Sequence, residues 1–194
     1  MFRPIFAPVL ALLVALLPLA ATAQDVVLDI DPAQSSVDFT LGAFLHAVHG
    51  TFKLKSGTIR LDTATGKAQG GIDVDLTTGS TGIRARDDVM RGRVLESQRF
   101  PDAVFTADAV AGRLNADGAS TLDVHGHLAI HGESHEWTLH TTIAAKGTQL
   151  TIAARSTIPY VQWGMTNPST FLLRVDDHVE LNVRATASTR LAAS

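Results

Sequence analysis

Residues 122–140 read LDVHGHLAIHGESHEWTLH and hold five of the chain's eight histidines: His125, His127, His131, His135 and His140. Neutral imidazole is the commonest nitrogen ligand for a metal ion, and its proton titrates close to neutral pH. Three uses are open to such a cluster: metal binding, proton sensing, or the polar face of a sheet. A tight metal site brings three or four ligands to one point, whereas an H-x-H pair on one strand supplies two. A second pair, His46 and His49 in FLHAVHG, has a spacing that suits one face of a short helical turn.

Covalent and hydrolytic chemistry is poorly served. The chain has no cysteine, and it contains neither a G-x-S-x-G elbow nor an H-E-x-x-H motif. The string His131-Gly132-Glu133-Ser134-His135 lacks the spacing of the zinc motif. Gly70-Gly71 precedes a strand pattern without a helix behind it, so no phosphate loop is formed. These absences point away from an enzyme.

The elements that carry the histidines read as strands. Apolar residues alternate with polar ones at Val37, Phe39 and Leu41, at Phe52 and Leu54, and at Ile72, Val74 and Leu76. The same period recurs at Val124, Leu128 and Ile130, at Trp137 and Leu139, and at Val179, Leu181 and Val183. Turn clusters such as Asn115-Ala116-Asp117-Gly118 and Lys146-Gly147 separate these runs. One all-β domain follows, an antiparallel sheet folded on itself as a barrel or a sandwich.

Parity puts His125, His127 and His131 on the face opposite Val124, Leu128 and Ile130. A turn over Gly132–His135 would pair Ile130 with Trp137 and Leu128 with Leu139. His127 would then lie across from His140, and His131 across from Glu136. Ala103 and Ala107 share a face with Phe105, which leans toward open space on that face. The inward set could equally fill a small barrel completely.

One segment breaks the alternation. In residues 82–102, Asp87 and Asp88 precede Met90 and Val94 at i and i+4, which predicts a short helical crossover ending before Pro101. Its five arginines (84, 86, 91, 93 and 99) form a charge run that pairs with its own acids or grips an anionic group.

The first residues have a basic start at Arg3, an apolar run from Val9 to Leu19 and the small triplet Ala21-Thr22-Ala23. That is the layout of a secretory signal peptide over residues 1–23, cleaved after Ala23 to leave a single domain, 24–194. The expected location is the periplasm. Loss of Arg3 leaves 15 basic against 19 acidic side chains, a net charge of −4, which argues against nucleic-acid binding. Protonation of all eight histidines would bring that charge to +4 across mildly acidic pH.

Four stretches together resemble the YceI-like family: DPAQSSVDFTLGAFLHAVHGTFKLKSGTI, RARDDVMRGRVLESQRFPDAVFTA, GHLAIHGESHEWTL and IPYVQWGMTNPSTFLLRV. The matching positions include Asp31, Pro32, Val37 and Phe39, Gly50 and Phe52, Arg86-Asp87, Pro101 and Phe105, and Leu128, Ile130 and Gly132. Where better-known members have an arginine and an acidic residue before Phe-Gly, this chain has Tyr160-Val161-Gln162-Trp163-Gly164-Met165 and resembles a histidine-rich branch. The resemblance implies a lipocalin-like barrel of about eight strands with a long apolar channel for a polyisoprenoid or similar long-chain lipid. It implies no cofactor, and it leaves room for a homodimer and for transient contact with a membrane surface. The lining expected from it is Val37, Phe39, Leu41, Phe52, Leu54, Ile72, Val74, Ala103, Phe105, Ala107, Leu128, Ile130, Trp137 and Leu139, with His46 and His49 at the mouth. The alternative function is a periplasmic metal-binding protein that uses the outward histidines.

Overall fold

The computed structural model describes residues 25–44, 46–171 and 173–192. Residues 1–23, expected from their layout to be a signal peptide, lie outside the described residues.

Eight antiparallel strands close into a barrel in chain order, the last pairing with the first. They are β1 (Asp25–Leu41), β2 (Val48–Asp62), β3 (Ala68–Ser80), β4 (Asp102–Gly112), β5 (Gly118–Ile130), β6 (Glu133–Lys146), β7 (Gln149–Ile158) and β8 (Val179–Leu191). The helical crossover expected between 82 and 102 joins β3 to β4. It consists of α1 (Arg84–Val89) running into one wider π turn, Met90–Val94. Closure removes the exposed edges that would otherwise template association.

Strand parity sorts the side chains, and bulges reset it. In β1 the inward residues are Leu28 and Ile30 before residues 31–36, and Val37 and Phe39 after them. The reset is built from the Asp31-Pro32 motif. Asp31 accepts hydrogen bonds from the Ala33 backbone (2.9 Å) and from Gln34 Nε2 (2.8 Å), while Ser35 Oγ donates to the Asp31 carbonyl (2.6 Å). Pro32 lacks an N–H and is tolerated at such a break in the ladder. Similar irregularities fall between Leu54 and Ser56 in β2 and between Ala107 and Ala109 in β4. A bulge supplies one unpaired residue and so turns the following side chains to the other face.

The barrel has two unlike halves. At the end holding the 62–67 and 113–117 turns, Leu28, Ile30, Leu54, Leu61, Leu122, Ile143 and Leu150 interlock with Ala68, Ala107, Ala145, Ala185 and Ala187 into a filled core. The opposite end carries the 42–47 loop, the helical crossover, the β5–β6 turn and the long 159–178 connection. It is the hollow half.

The β5–β6 hairpin turns sooner than the sequence reading expected. Its loop is the two residues His131-Gly132, with φ of 53° and 84°, the paired positive values of a type I′ turn. Ile130 therefore pairs with Glu133, Leu128 with His135, Gly126 with Trp137 and Val124 with Leu139. His127 lies across from Glu136, not His140, and His140 lies across from Asp123. His131 is in the turn itself, its ring tilted against Phe100 with centroids 4.9 Å apart, and is not on the outer face.

Candidate ligand cavity

A cavity of about 530 Å³ occupies the hollow half, within the usual range of roughly 300–1,000 Å³ for small-molecule sites. Its walls come from every strand. β1 supplies Val37, Phe39 and Leu41; β2 Phe52; β3 Ile72 and Val74; β4 Ala103 and Phe105; β5 Leu128 and Ile130; β6 Trp137 and Leu139. Phe39 and Phe52 lie tilted at 5.3 Å, and Phe105 meets Trp137 edge to face at 5.7 Å. Such ring pairs fix one another's orientation.

Two of the expected lining residues fall elsewhere. Leu54 and Ala107 are buried in the filled half, because the lumen is occupied there by core side chains. The channel is consequently a pocket with a floor, not a bore through the barrel. His46 and His49 are exposed and do not line it. His49 belongs to β2 rather than to a helical turn, and its Nδ1 sits 3.0 Å from Thr40 Oγ1.

Residues beyond the strand pattern complete the cavity. The crossover contributes Ile83, Ala85, Arg86, Val89, Met90, Val94 and Leu95, and the 159–178 connection contributes Tyr160, Met165, Pro168, Leu173 and Val175. Met90 and Val94 carry the i, i+4 signal seen in the sequence. The contribution of the long connection has no periodic signal to betray it. Gly79 lets the crossover seat closely, since a Cβ there would come within 2.5 Å of the Phe52 ring and 2.7 Å of Met90 Cε.

The crossover is held by Asp87. Its carboxylate accepts from Thr81 N (2.7 Å), Thr81 Oγ1 (2.7 Å) and Ser80 Oγ (3.3 Å), although the residue is buried. The Thr81 hydroxyl, then its N–H and the Ser80 hydroxyl, hold the carboxyl below its ordinary range against the opposing effect of desolvation. On the far wall, Tyr160 donates to the Asp176 carbonyl (2.7 Å). Burial, with Asp177 and Asp176 nearby, pushes its phenol up to about 12, so it stays a donor.

The histidines disperse. His140 faces Asp123 at 2.7 Å, His127 faces Asp108 at 3.5 Å, His178 faces Asp177 at 3.0 Å and His125 faces Thr138 at 2.9 Å. Among the described residues no three His, Asp or Glu side chains converge into a cluster able to hold a metal ion. His135 is not in the turn expected over Gly132–His135. It instead lies on β6 opposite Leu128, with its ring stacked flat on Trp163 at 4.2 Å.

Fold and cavity together define a class: an eight-stranded up-and-down barrel with an apolar pocket open at one end. The model of the YceI-like domain matches residues 28–187, and the chain belongs to that family. A relative in Pseudomonas savastanoi pv. phaseolicola, called a UPF0312 protein, is 34% identical over 131 residues, covering 66% of each chain. The match thus spans just under two thirds of that relative's length. A Vibrio parahaemolyticus relative is 28% identical over 150 residues, covering 76% of this chain and 77% of its own.

Two solved structures share the fold. The Burkholderia cenocepacia protein BcnA superposes with a TM-score of 0.69 at 20% identity, over 82% of this chain and 100% of that one. A polyisoprenoid binding domain from Saccharophagus degradans gives 0.64 at 18% identity, over 84% and 98%.

Proposed function

We propose that the protein is an exported, non-enzymatic carrier that shelters the tail of a polyisoprenoid or similar long-chain amphipathic lipid. The single observation that carries this reading is the half-hollow barrel. Its cavity is walled almost wholly by aliphatic and aromatic side chains and opens at one end. A tail entering it leaves water at a gain of roughly 25 cal/mol per Å² of apolar surface buried. The likeness to a polyisoprenoid binding domain supports the same ligand class, and the layout of residues 1–23 supports export to the periplasm.

The rim supports loading at a bilayer surface. Phe44 and Phe171 are 83% and 93% exposed, and Ile83, Val89 and Leu173 are also exposed. All five sit on loops or helix of the open end, three of them continuous with the cavity wall. Apolar side chains clustered at one end mark a contact with another apolar phase. A lipid that dissolves poorly in water then passes from bilayer to cavity without crossing bulk solvent.

Organic extraction of protein purified from its native envelope, followed by mass spectrometry, tests the reading. A long-chain lipid in stoichiometric amount is the expected result. Protein that yields no lipid and binds no hydrophobic probe would overturn it.

A further inference from the structure

The walls of the cavity carry four side chains with nitrogen or oxygen atoms: Thr81, Arg86, Trp137 and Tyr160. Three of them are engaged within the protein. Thr81 Oγ1 donates to Asp87 Oδ1 at 2.7 Å, Trp137 Nε1 donates to the Thr157 carbonyl at 3.1 Å, and the Tyr160 hydroxyl donates to the Asp176 carbonyl. Arg86 is the fourth, and its guanidinium has no hydrogen-bond or ion-pair partner among the described residues.

The acids beside it are committed elsewhere. Asp87 is held by Thr81 and Ser80, and Asp88 is shared between Arg91 (3.2 Å) and Arg84 (4.0 Å). Arg86 therefore differs from Arg84 and Arg91, which pair with Asp88, and from Arg93, which is exposed to solvent and does not line the cavity. It is half-buried, it lies on the helix at the mouth, and it is the sole charged side chain in an otherwise apolar wall. A guanidinium offers five N–H donors in a planar fork that matches carboxylate and phosphate oxygens.

We propose that Arg86 selects a lipid with an anionic headgroup, a carboxylate or phosphate, over the neutral molecule with the same tail. This rests on the carrier reading above: the tail fills the cavity and the acid stops at α1. Attraction is stronger here than on the open surface, because the apolar wall lowers the local dielectric.

The test compares two probes with one tail, dodecyl phosphate and dodecanol, each below its aggregation threshold, by calorimetry or displacement of a fluorescent apolar dye. Wild type should prefer the phosphate by about 10- to 100-fold, the range expected for charged hydrogen bonds. In Arg86→Gln the ratio of the two affinities should fall to near one, and Arg86→Lys should restore most of it. The ratio is internal to each variant, so partial loss of folding does not imitate the effect. Equal binding of both probes by wild type, or a preference that survives in Arg86→Gln, overturns the assignment and leaves the carrier reading standing. Inorganic phosphate that displaces dodecyl phosphate also overturns it, because the site would then read the free anion without the tail. Failure of both probes to bind overturns the carrier reading itself.

Discussion

His131 Nε2 lies 3.5 Å from Glu96 Oε1, and both residues have left-handed backbone, with φ of 53° and 46°. The contact ties the β5–β6 turn to the residue just beyond the π turn of the crossover. Each partner occupies a conformation that costs a residue with a Cβ, and each is held there by its surroundings.

The turn therefore discriminates among substitutions at 131. Asn tolerates the left-handed region, whereas a β-branched residue does not. His131→Asn should keep the hairpin and most of the stability. His131→Val should lose about 1–3 kcal/mol. Thermal unfolding of both variants checks this, and equal stability would refute the type I′ assignment.

Ala103 and Ala107 point inward from the same strand into unlike halves of the barrel. Ala103→Phe projects into open cavity, so the protein should fold with near-native stability and lose its lipid. Ala107→Phe meets a filled core, where overpacking typically costs about 1–3 kcal/mol. Urea unfolding separates the two variants, and extraction reports occupancy. Two variants that behave alike would contradict the boundary between the halves.

Asp87 sets a pH dependence with a definite sign. Its carboxyl is held below the ordinary value, chiefly by the Thr81 hydroxyl. The stability it contributes is present above the unfolded-state pKa of about 4, and is lost as pH falls through the lower folded value. Asp87→Ala should destabilise at neutral pH by about 1–3 kcal/mol, because it strands the donors of Thr81 and Ser80. The difference from wild type should shrink below pH ~4. His178 has the opposite sign. Its hydrogen bond to Asp177 raises its pKa, so its contribution is present below about 6.5 and fades as pH rises through the folded value. Denaturation midpoints across a pH series check both directions.

The exposed rim should govern transfer, not capacity. Phe44→Ser with Phe171→Ser should slow exchange of a fluorescent lipid from vesicles several-fold, while the final occupancy stays the same. Both side chains are largely in solvent, so stability should change by no more than about 0.5 kcal/mol. Stopped-flow exchange checks the rate, and an unchanged rate would remove the membrane contact from the proposal.

Much of the barrel was legible because a half-buried strand repeats every two residues. Val37, Phe39, Leu128, Ile130 and Leu139 read inward from sequence alone, and they line the cavity. What escaped was where that period restarts. The bulges of β1, β2 and β4 insert a residue without a strong local signature, so the position of a side chain along the lumen could not be counted across them. Leu54 and Ala107 do point inward, but strand parity carries no information on how far up the axis core side chains fill the lumen. At the β5–β6 turn, histidine in the left-handed region gave a weaker cue than Asn-Gly would have, and the reading turned four residues' worth of pairing out of place. Gly132 directly after His131 was the available signal. Tyr160 and Met165 come from a long connection, and no periodicity marks such residues.

The packed half of the barrel gives the cavity a floor, and a pocket with a floor measures length. A chain shorter than the depth is sheltered whole and leaves void beneath it, forfeiting contacts. A longer one bottoms out against the Leu and Ala core and must leave its surplus carbons beyond the rim, among Phe44, Phe171 and Leu173. Affinity across a homologous series of tails should accordingly climb with each added carbon and then level off. The carbon number at that break is a ruler reading of how far the filled core reaches up the barrel.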